Sequence, residues 1–349
     1  ETIGYRKTKK INSFKSLVKK ERTHLNKNEL VNLNQNWGLA FTLDESIIQL
    51  VSRIKENKNE LNDYFEVSQG YIPYRKSDLI KTYGAVEGKE IVKERLWHSE
   101  TKVSEEYLPE VFGRNLDKYG FVNNKRTSFV KYGKHLACYV DLKFFNQKRI
   151  LVREITNPSI IATIISDTYV NDPQLISIIP RNEEKLTLDV LWAILNSKLA
   201  TFFHFNHSPK ATKGAFPKIL IKDMKEFPIP SGSNVKPIQL FVNYLLNLKE
   251  HKQLNEFVPN KHIAETFEEV IDAMVFELYF SKEFEKAGIH FIKYAERDFK
   301  SIEGKTPEEQ KEIIHNSYQK LREKDNEIRN NLKEMKIELR DLLMPILTV

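Results

Sequence analysis

The sequence predicts a mixed α+β domain followed by an α-helical C-terminal region that ends in a long helix. Three observations predict this. β-Branched and aromatic runs broken by Gly, Asn and Pro fill the stretch from Leu61 to Pro230, one strong apolar helical stripe lies within it, and the text after Val235 carries apolar residues at helical spacing. At 349 residues the chain exceeds one typical core. The divisions fall at 1–60 for a connector with a short amphipathic helix, 61–232 for the mixed domain and 233–349 for the helical region.

Residues 1–36 are rich in Lys, Arg and Asn with weak periodicity, and "ETIGYRKTKK" reads like text from the middle of a longer polypeptide. "FTLDESIIQLVSRIKEN" then predicts a short helix capped by Asp44, with Ile47, Ile48, Val51 and Ile54 on one face. "YFEVSQGYIPY", "FVNNKRTSFVKYG", "KRILVREI", "SIIATIISDTYV" and "QLISIIP" read as strands. Thr187 caps the helix "LDVLWAILNSKLATFFHF", whose buried stripe is Leu191, Ile194, Leu195, Leu199, Phe202 and Phe203. "EFPIPSGSN" closes the domain. Beyond it, "IAETFEEVIDAMVFELYF" is amphipathic. From about Pro307 to Leu343 the apolar positions Ile314, Tyr318, Leu321, Ile328, Leu332, Met335, Leu339 and Leu342 step by four and three, with Asp325 in one slot. That spacing predicts one seam, either packed on its own domain or pairing with a partner helix or second copy through Ile314 to Leu342.

The 55 Lys+Arg against 48 Asp+Glu give +7, a mild excess compatible with a polyanionic partner. A single cysteine, Cys138, excludes an intrachain disulfide framework and a cysteine-based zinc site, and suits a reducing, cytoplasmic setting. No apolar run approaches the about 18 residues that a membrane span needs, so no membrane partner is expected.

Catalytic motifs fail one by one. Asn157-Pro158-Ser159-Ile160 imitates the tetrapeptide of amino-group methyltransferases, but Ser and Ile replace the second proline and the stacking aromatic, which leaves a turn between two strands. No Gly-x-Gly occurs to hold S-adenosylmethionine. "GAVEGKE", Gly84 to Glu90, is one residue short of a phosphate loop and reads as a surface turn. Asp172 with Glu183 and Lys185 matches a Mg²⁺ nuclease pattern only loosely, and reads as a solvated turn. His204 and His207 lie three apart; without a further ligand they read as cationic residues favoured at a helix C-terminus. No catalytic, cofactor or metal residue is therefore expected in this chain.

What remains are loops in which basic and aromatic residues interleave: Tyr71, Tyr74, Arg75 and Lys76; Lys125, Arg126, Lys131, Tyr132 and Lys134; His207, Lys210, Lys213 and Lys218. Cations neutralise phosphates, while Arg and Asn can read base edges.

The order "VSQGYIPYR", "FVKYGKHLACY", "RILVREITNPSIIATIISDTYVNDPQLISIIP", "LDVLWAILNSKLATFFHF", "GAFPKILIKDMKEFPIP" resembles the TaqI-like C-terminal specificity domain, the target recognition domain of adenine-N6 DNA methyltransferases and type IIG restriction-modification enzymes. Asn196-Ser197-Lys198-Leu199, Phe216-Pro217-Lys218 and Phe227-Pro228-Ile229-Pro230 are its most specific parts, and Val270 to Ile289 resembles the helix that follows such domains. The resemblance implies double-stranded DNA as partner. It also implies a methyltransferase domain upstream in the same polypeptide, with S-adenosylmethionine, and Mg²⁺ if a nuclease is present, held outside this chain. Gln69-Gly70 matches the family's opening loop, and Arg153 its recurrent arginine, which serves either phosphate contact or internal pairing. The expected DNA-facing set is Tyr71, Arg75, Lys76, Lys125, Arg126, Lys131, Lys134, Arg153, Lys210 and Lys213. The competing readings are a helix-pairing scaffold with incidental basic loops, and a Mg²⁺ nuclease built on Asp172, Glu183 and Lys185.

Overall fold

The computed structural model describes residues 2–5, 22–25, 45–56, 58–121, 128–181, 186–208, 210–211, 217–232, 235–250, 253–254 and 257–349. It has the mixed α+β character with a helical C-terminal region that the sequence predicts. Strands β1 (Thr2–Tyr5) and β2 (Arg22–Leu25) pair antiparallel. Helix α1 (Glu45–Lys55) buries Leu50, Val51 and Ile54; its expected cap Asp44 lies outside the described residues. There follow β3 (Asn59–Glu60), α2 (Leu61–Tyr64), β4 (Phe65–Gln69), α3 (Lys76–Tyr83) and α4 (Ala85–Glu94).

The stretch Gly84 to Glu90, read in the sequence as a surface turn, is the start of α4. Its glycine Gly88 is a packing device: an added Cβ would stand 2.7 Å from backbone atoms of Leu79 and Ile80, so only glycine lets α3 and α4 approach this closely.

Strands β5 (His98–Ser99), β6 (Tyr107–Val111), β7 (Leu116–Asp117), β8 (Gly120–Phe121), β9 (Phe129–Lys131), β10 (Arg149–Arg153), β11 (Ala162–Ile165), β12 (Val170–Asn171) and β13 (Leu175–Pro180) complete the mixed region. The larger sheet has the order β11-β10-β13-β4 and is antiparallel throughout, with Arg153 opposite Leu175 and Ile176 opposite Gln69. The smaller has the order β12-β6-β9-β5, in which β12 runs parallel to β6. Asn157-Pro158, a cis peptide, sits in the turn from β10 to β11, as the turn reading requires.

Helix α5 (Leu188–Asn196) starts at the predicted cap, Thr187, whose hydroxyl accepts from Val190 N. The single helix expected there is two. Ser197 leaves helical geometry at ψ 156, donates to the Ile194 carbonyl at 2.7 Å and accepts from Ala200 N at 3.1 Å, so it ends α5 and caps α6 (Lys198–His207). Helix α7 (Ile221–Lys225) and β14 (Pro228–Ile229), paired with β3, close the region.

The C-terminal part comprises α8 (Lys236–Glu250), α9 (Asn260–Tyr279), α10 (Ser281–Ala287), α11 (Ile292–Asp298), α12 (Pro307–Arg322), α13 (Glu327–Glu338) and α14 (Arg340–Leu347). The long seam expected over Pro307 to Leu343 is divided among α12, α13 and α14. The first break falls at the slot occupied by Asp325, where no apolar side chain holds the register, and Asn326 caps the next helix by accepting from Arg329 N at 3.0 Å. Ile314, Tyr318, Leu321, Ile328, Met335 and Leu339 are buried in one cluster that runs from Leu50 to Ile346. Of the two readings of the seam, packing on the chain's own core is the one realised.

Asp272 on α9 accepts from Lys198 N at 3.0 Å and so caps α6 from outside. Burial, with Glu268 adding to it, raises its carboxyl to about 7. A carboxyl raised above its unfolded value stabilises the fold at low pH, and that contribution is lost as pH rises through about 7. Asp272→Asn keeps the acceptor and removes the ionisation. Urea unfolding at pH 8 should show it more stable than the parent by about 1–2 kcal/mol, with the difference vanishing near pH 4.

Candidate nucleic-acid interface

β4, β10 and β13 place Gln69, Arg153 and Gln174 at one end of the larger sheet, where the Gly70, Asp172–Gln174 and Gly113–Asn115 loops meet. The meeting is tight. A Cβ on Gly70 would stand 2.1 Å from the Asp172 carbonyl oxygen and 2.2 Å from that of Asn171, and the next residue, Tyr71, donates its N–H to Asn171 O at 3.0 Å. Asn171 is buried, donates to Leu175 O at 2.9 Å and accepts from the Ser177 hydroxyl at 3.0 Å. Asp172 accepts from Gln174 N at 3.0 Å; burial raises its carboxyl, and the neighbouring Glu110 and Glu154 add to the shift.

Arg153 reaches this end with its side chain against Gly113, whose added Cβ would lie 3.9 Å from Arg153 Cγ and Nε. Its guanidinium makes no hydrogen bond or ion pair among the described residues, and the next residue, Glu154, pairs with Lys218 Nζ at 2.9 Å. Of the two roles left open for Arg153, internal pairing is thus not realised. Lys210 is exposed, and its carbonyl accepts from Lys218 N at 3.3 Å, which keeps that loop beside the same end.

The other expected residues lie on the smaller sheet's lobe. Arg75 pairs with Asp78 at 2.9 Å and Lys131 with Glu106 at 3.3 Å, surface contacts that are weak and exchangeable. Lys76 and Lys134 are exposed and form no ion pair among the described residues. Lys125, Arg126 and Lys213 lie outside the described residues, as do Glu183 and Lys185 of the nuclease pattern.

Tyr71 requires a correction. It is 0% exposed, packed with Val130, Leu136, Phe145 and Val170, edge-on to Tyr132 at 5.5 Å, and its hydroxyl donates to the buried Glu110. A side chain without accessible surface cannot touch a phosphate, so Tyr71 supports the loop from within. Glu110 also faces His98 Nε2 at 3.2 Å, an ion-pair approach without an aligned hydrogen bond. Burial would raise the Glu110 carboxyl, but His98 and the Tyr71 hydroxyl outweigh it and hold the group below its ordinary range. Tyr74 bonds His98 Nδ1 at 2.7 Å and accepts from Trp97 N at 3.0 Å; burial pushes its phenol up to about 12.

The histidines on α6 also differ from expectation. His204 is buried against Thr156 Oγ1 at 3.0 Å and His207 stacks on Phe203 at 4.8 Å. Burial lowers both to about 4, so desolvation overrides the helix terminus and they are neutral at pH 7. Among the described residues no group of three His, Cys, Asp or Glu is placed to hold a metal, and no helix is long and apolar enough to cross a membrane.

Two functional features escaped sequence reasoning. Arg149 is fully buried and donates to the carbonyls of Gln147 and Asp167 at 3.0 Å each and of Tyr169 at 2.7 Å, fixing the β11–β12 connection; burial lowers its guanidinium to about 10. Arg114, exposed and carried over the Phe112 ring at 5.0 Å, sits in a short loop with no periodic signal.

Comparison with known proteins agrees with the segment order. No curated protein matches the chain. Among solved structures, a similar chain comes from work described as the structural basis of complex assembly and conformational transition of the type I R-M system. It is 11% identical with a TM-score of 0.33, over 72% of this chain and 56% of that one, so the present chain spans about half of that protein's length. Residues 108–229 match the model of the TaqI-like C-terminal specificity domain; Gln69-Gly70, which resembles the family's opening loop, precedes that segment but packs directly on its Asn171-Asp172 backbone. Over residues 108–229 the chain is thus similar to the TaqI-like C-terminal specificity domain, the family that its sequence resembles.

Proposed function

We propose that the chain is the DNA sequence-recognition part of a site-specific adenine-N6 DNA methyltransferase or type IIG restriction-modification enzyme. The specificity-domain match over residues 108–229 is the observation that carries this reading. Supporting it, the larger sheet ends in a loop cluster whose Arg153 has no carboxylate partner among the described residues, with Lys210 beside it. On this reading phosphate contacts from Arg75, Lys76, Lys131, Lys134, Arg153 and Lys210, together with Lys125, Arg126 and Lys213, set the register on double-stranded DNA, and a few side chains read bases. Methyl transfer from S-adenosylmethionine, and any Mg²⁺-dependent cleavage, belong to polypeptide outside these 349 residues, with a methyltransferase domain upstream and a cytoplasmic setting. The helix-pairing alternative loses its main support because the seam is internal.

The test is fluorescence anisotropy of this chain with a random-sequence duplex pool across a salt series. The expected result is binding whose log K falls linearly with log salt, with a slope of about −0.9 per phosphate contacted. Affinity that does not respond to salt, or no binding at low salt, contradicts the proposal.

A further inference from the structure

Arg75, Lys131 and Lys218 each face a carboxylate. Arg114 and Arg153 form no ion pair among the described residues, and the Gly113 turn places them at the same end of the larger sheet. The Gly113–Asn115 turn is held shut by Asn115, whose Oδ1 accepts from Phe112 N at 3.1 Å and whose N–H donates to Phe112 O at 2.8 Å. Gly113 in that turn lies against the Arg153 side chain and the Gln174 carbonyl, at 3.9 Å from a built Cβ.

Burial raises the Asp172 carboxyl and Arg114 acts to lower it, while the Asp172 side chain accepts from Gln174 N at 3.0 Å. The exposed Arg114 carries its guanidinium over the Phe112 ring at 5.0 Å. Arg114 directly follows Gly113, against which the Arg153 side chain lies, so both side chains start from one end of the sheet. A guanidinium fork suits the paired O6 and N7 acceptors of guanine better than a single phosphate oxygen, to which a lysine serves as well.

Resting on the DNA-recognition reading, we propose that Arg114 is a specificity-determining residue that reads a guanine in the major groove, with Arg153 beside it as the second fork of the same reader.

The experiment selects bound duplexes from a random pool with the 349-residue chain, with Arg114→Ala and with Arg114→Lys, each first shown by thermal melting to be folded like the parent. Duplexes differing at single base pairs of the selected site are then titrated in a salt series. The expected result is that both variants lose preference for guanine at one position by roughly 5- to 150-fold, with the salt slope unchanged. A uniform loss at every sequence for Arg114→Ala, with the slope shallower by about 0.9 and Arg114→Lys restoring affinity, makes Arg114 a phosphate contact and overturns the inference. Unchanged preference in both variants overturns it as well. In those cases recognition by the parent chain stands; a parent chain that selects no sequence overturns the recognition reading itself, and the inference with it.

Discussion

Replacing Arg149 by methionine is expected to lower the unfolding free energy by about 3–5 kcal/mol, measured by urea denaturation at pH 7. The side chain is buried and forms no ion pair among the described residues; three main-chain carbonyls accept from it. Methionine fills much of the space but leaves the part-buried carbonyls of Gln147, Asp167 and Tyr169 without the Arg149 donors. Each unpaired acceptor costs about 1–3 kcal/mol, partly recovered because the buried cation, with its unsatisfied Nε, is no longer there. Lysine has one donor group in place of a fork and should fall between the two. A loss under about 1 kcal/mol for methionine would show that the connection is held by its other packing. Tyr169, whose carbonyl Arg149 binds, directly precedes β12, so the same variant should loosen the Asp172–Gln174 turn at the reading end.

Gly70→Ala should cost about 3 kcal/mol or more, at the upper end of what overpacking by one methyl produces, because the atoms in the way are main-chain carbonyls. The added carbon would stand 2.1–2.3 Å from Asp172 O, Asn171 O and Asp172 C, and no rotamer change can clear it. Gly84 supplies the contrast. Nothing lies within 4 Å of its built Cβ, but its φ is +85°, so Gly84→Ala should cost only the backbone strain, about 1 kcal/mol. Equal losses for the two variants, by thermal or urea unfolding, would mean that the Gly70 contact relaxes freely. Because β4, β13 and the Asp172 turn meet at Gly70, the alanine variant should also weaken DNA binding beyond what its stability loss explains.

Much of this architecture was legible where a single periodicity governs. The strands around Ile150 and Ile178 are apolar on consecutive residues because both faces of the sheet are covered, and Thr187 marked its helix start by the hydroxyl that does cap it. Periodicity misled where a small polar residue interrupts an otherwise continuous stripe. Ser197 leaves the apolar pattern intact while its two hydrogen bonds end one helix and begin the next. Asp325 looked like a tolerated slot in a seam and is the place where the helix stops. The α3–α4 pair was invisible because Gly84 and Gly88 read as turn residues, and whether a glycine serves φ or close approach depends on what lies opposite it.

At the candidate site the sequence supplied Arg153 and the basic loops but misplaced Tyr71, because an aromatic beside arginine and lysine has the same composition whether it faces solvent or core. Arg114 and Arg149 show the converse. An unpaired exposed guanidinium and a buried carbonyl-bound one have one letter in common, and only the surrounding carboxylates and carbonyls tell them apart.

Sequence recognition by this chain is tested most directly by incubating it with a random-sequence duplex pool at low salt, recovering the bound DNA and sequencing it over successive rounds. The specificity-domain reading predicts one recurring motif of a few base pairs, lost from the recovered DNA when salt is raised. A bound fraction indistinguishable from the input pool, round after round, would contradict it.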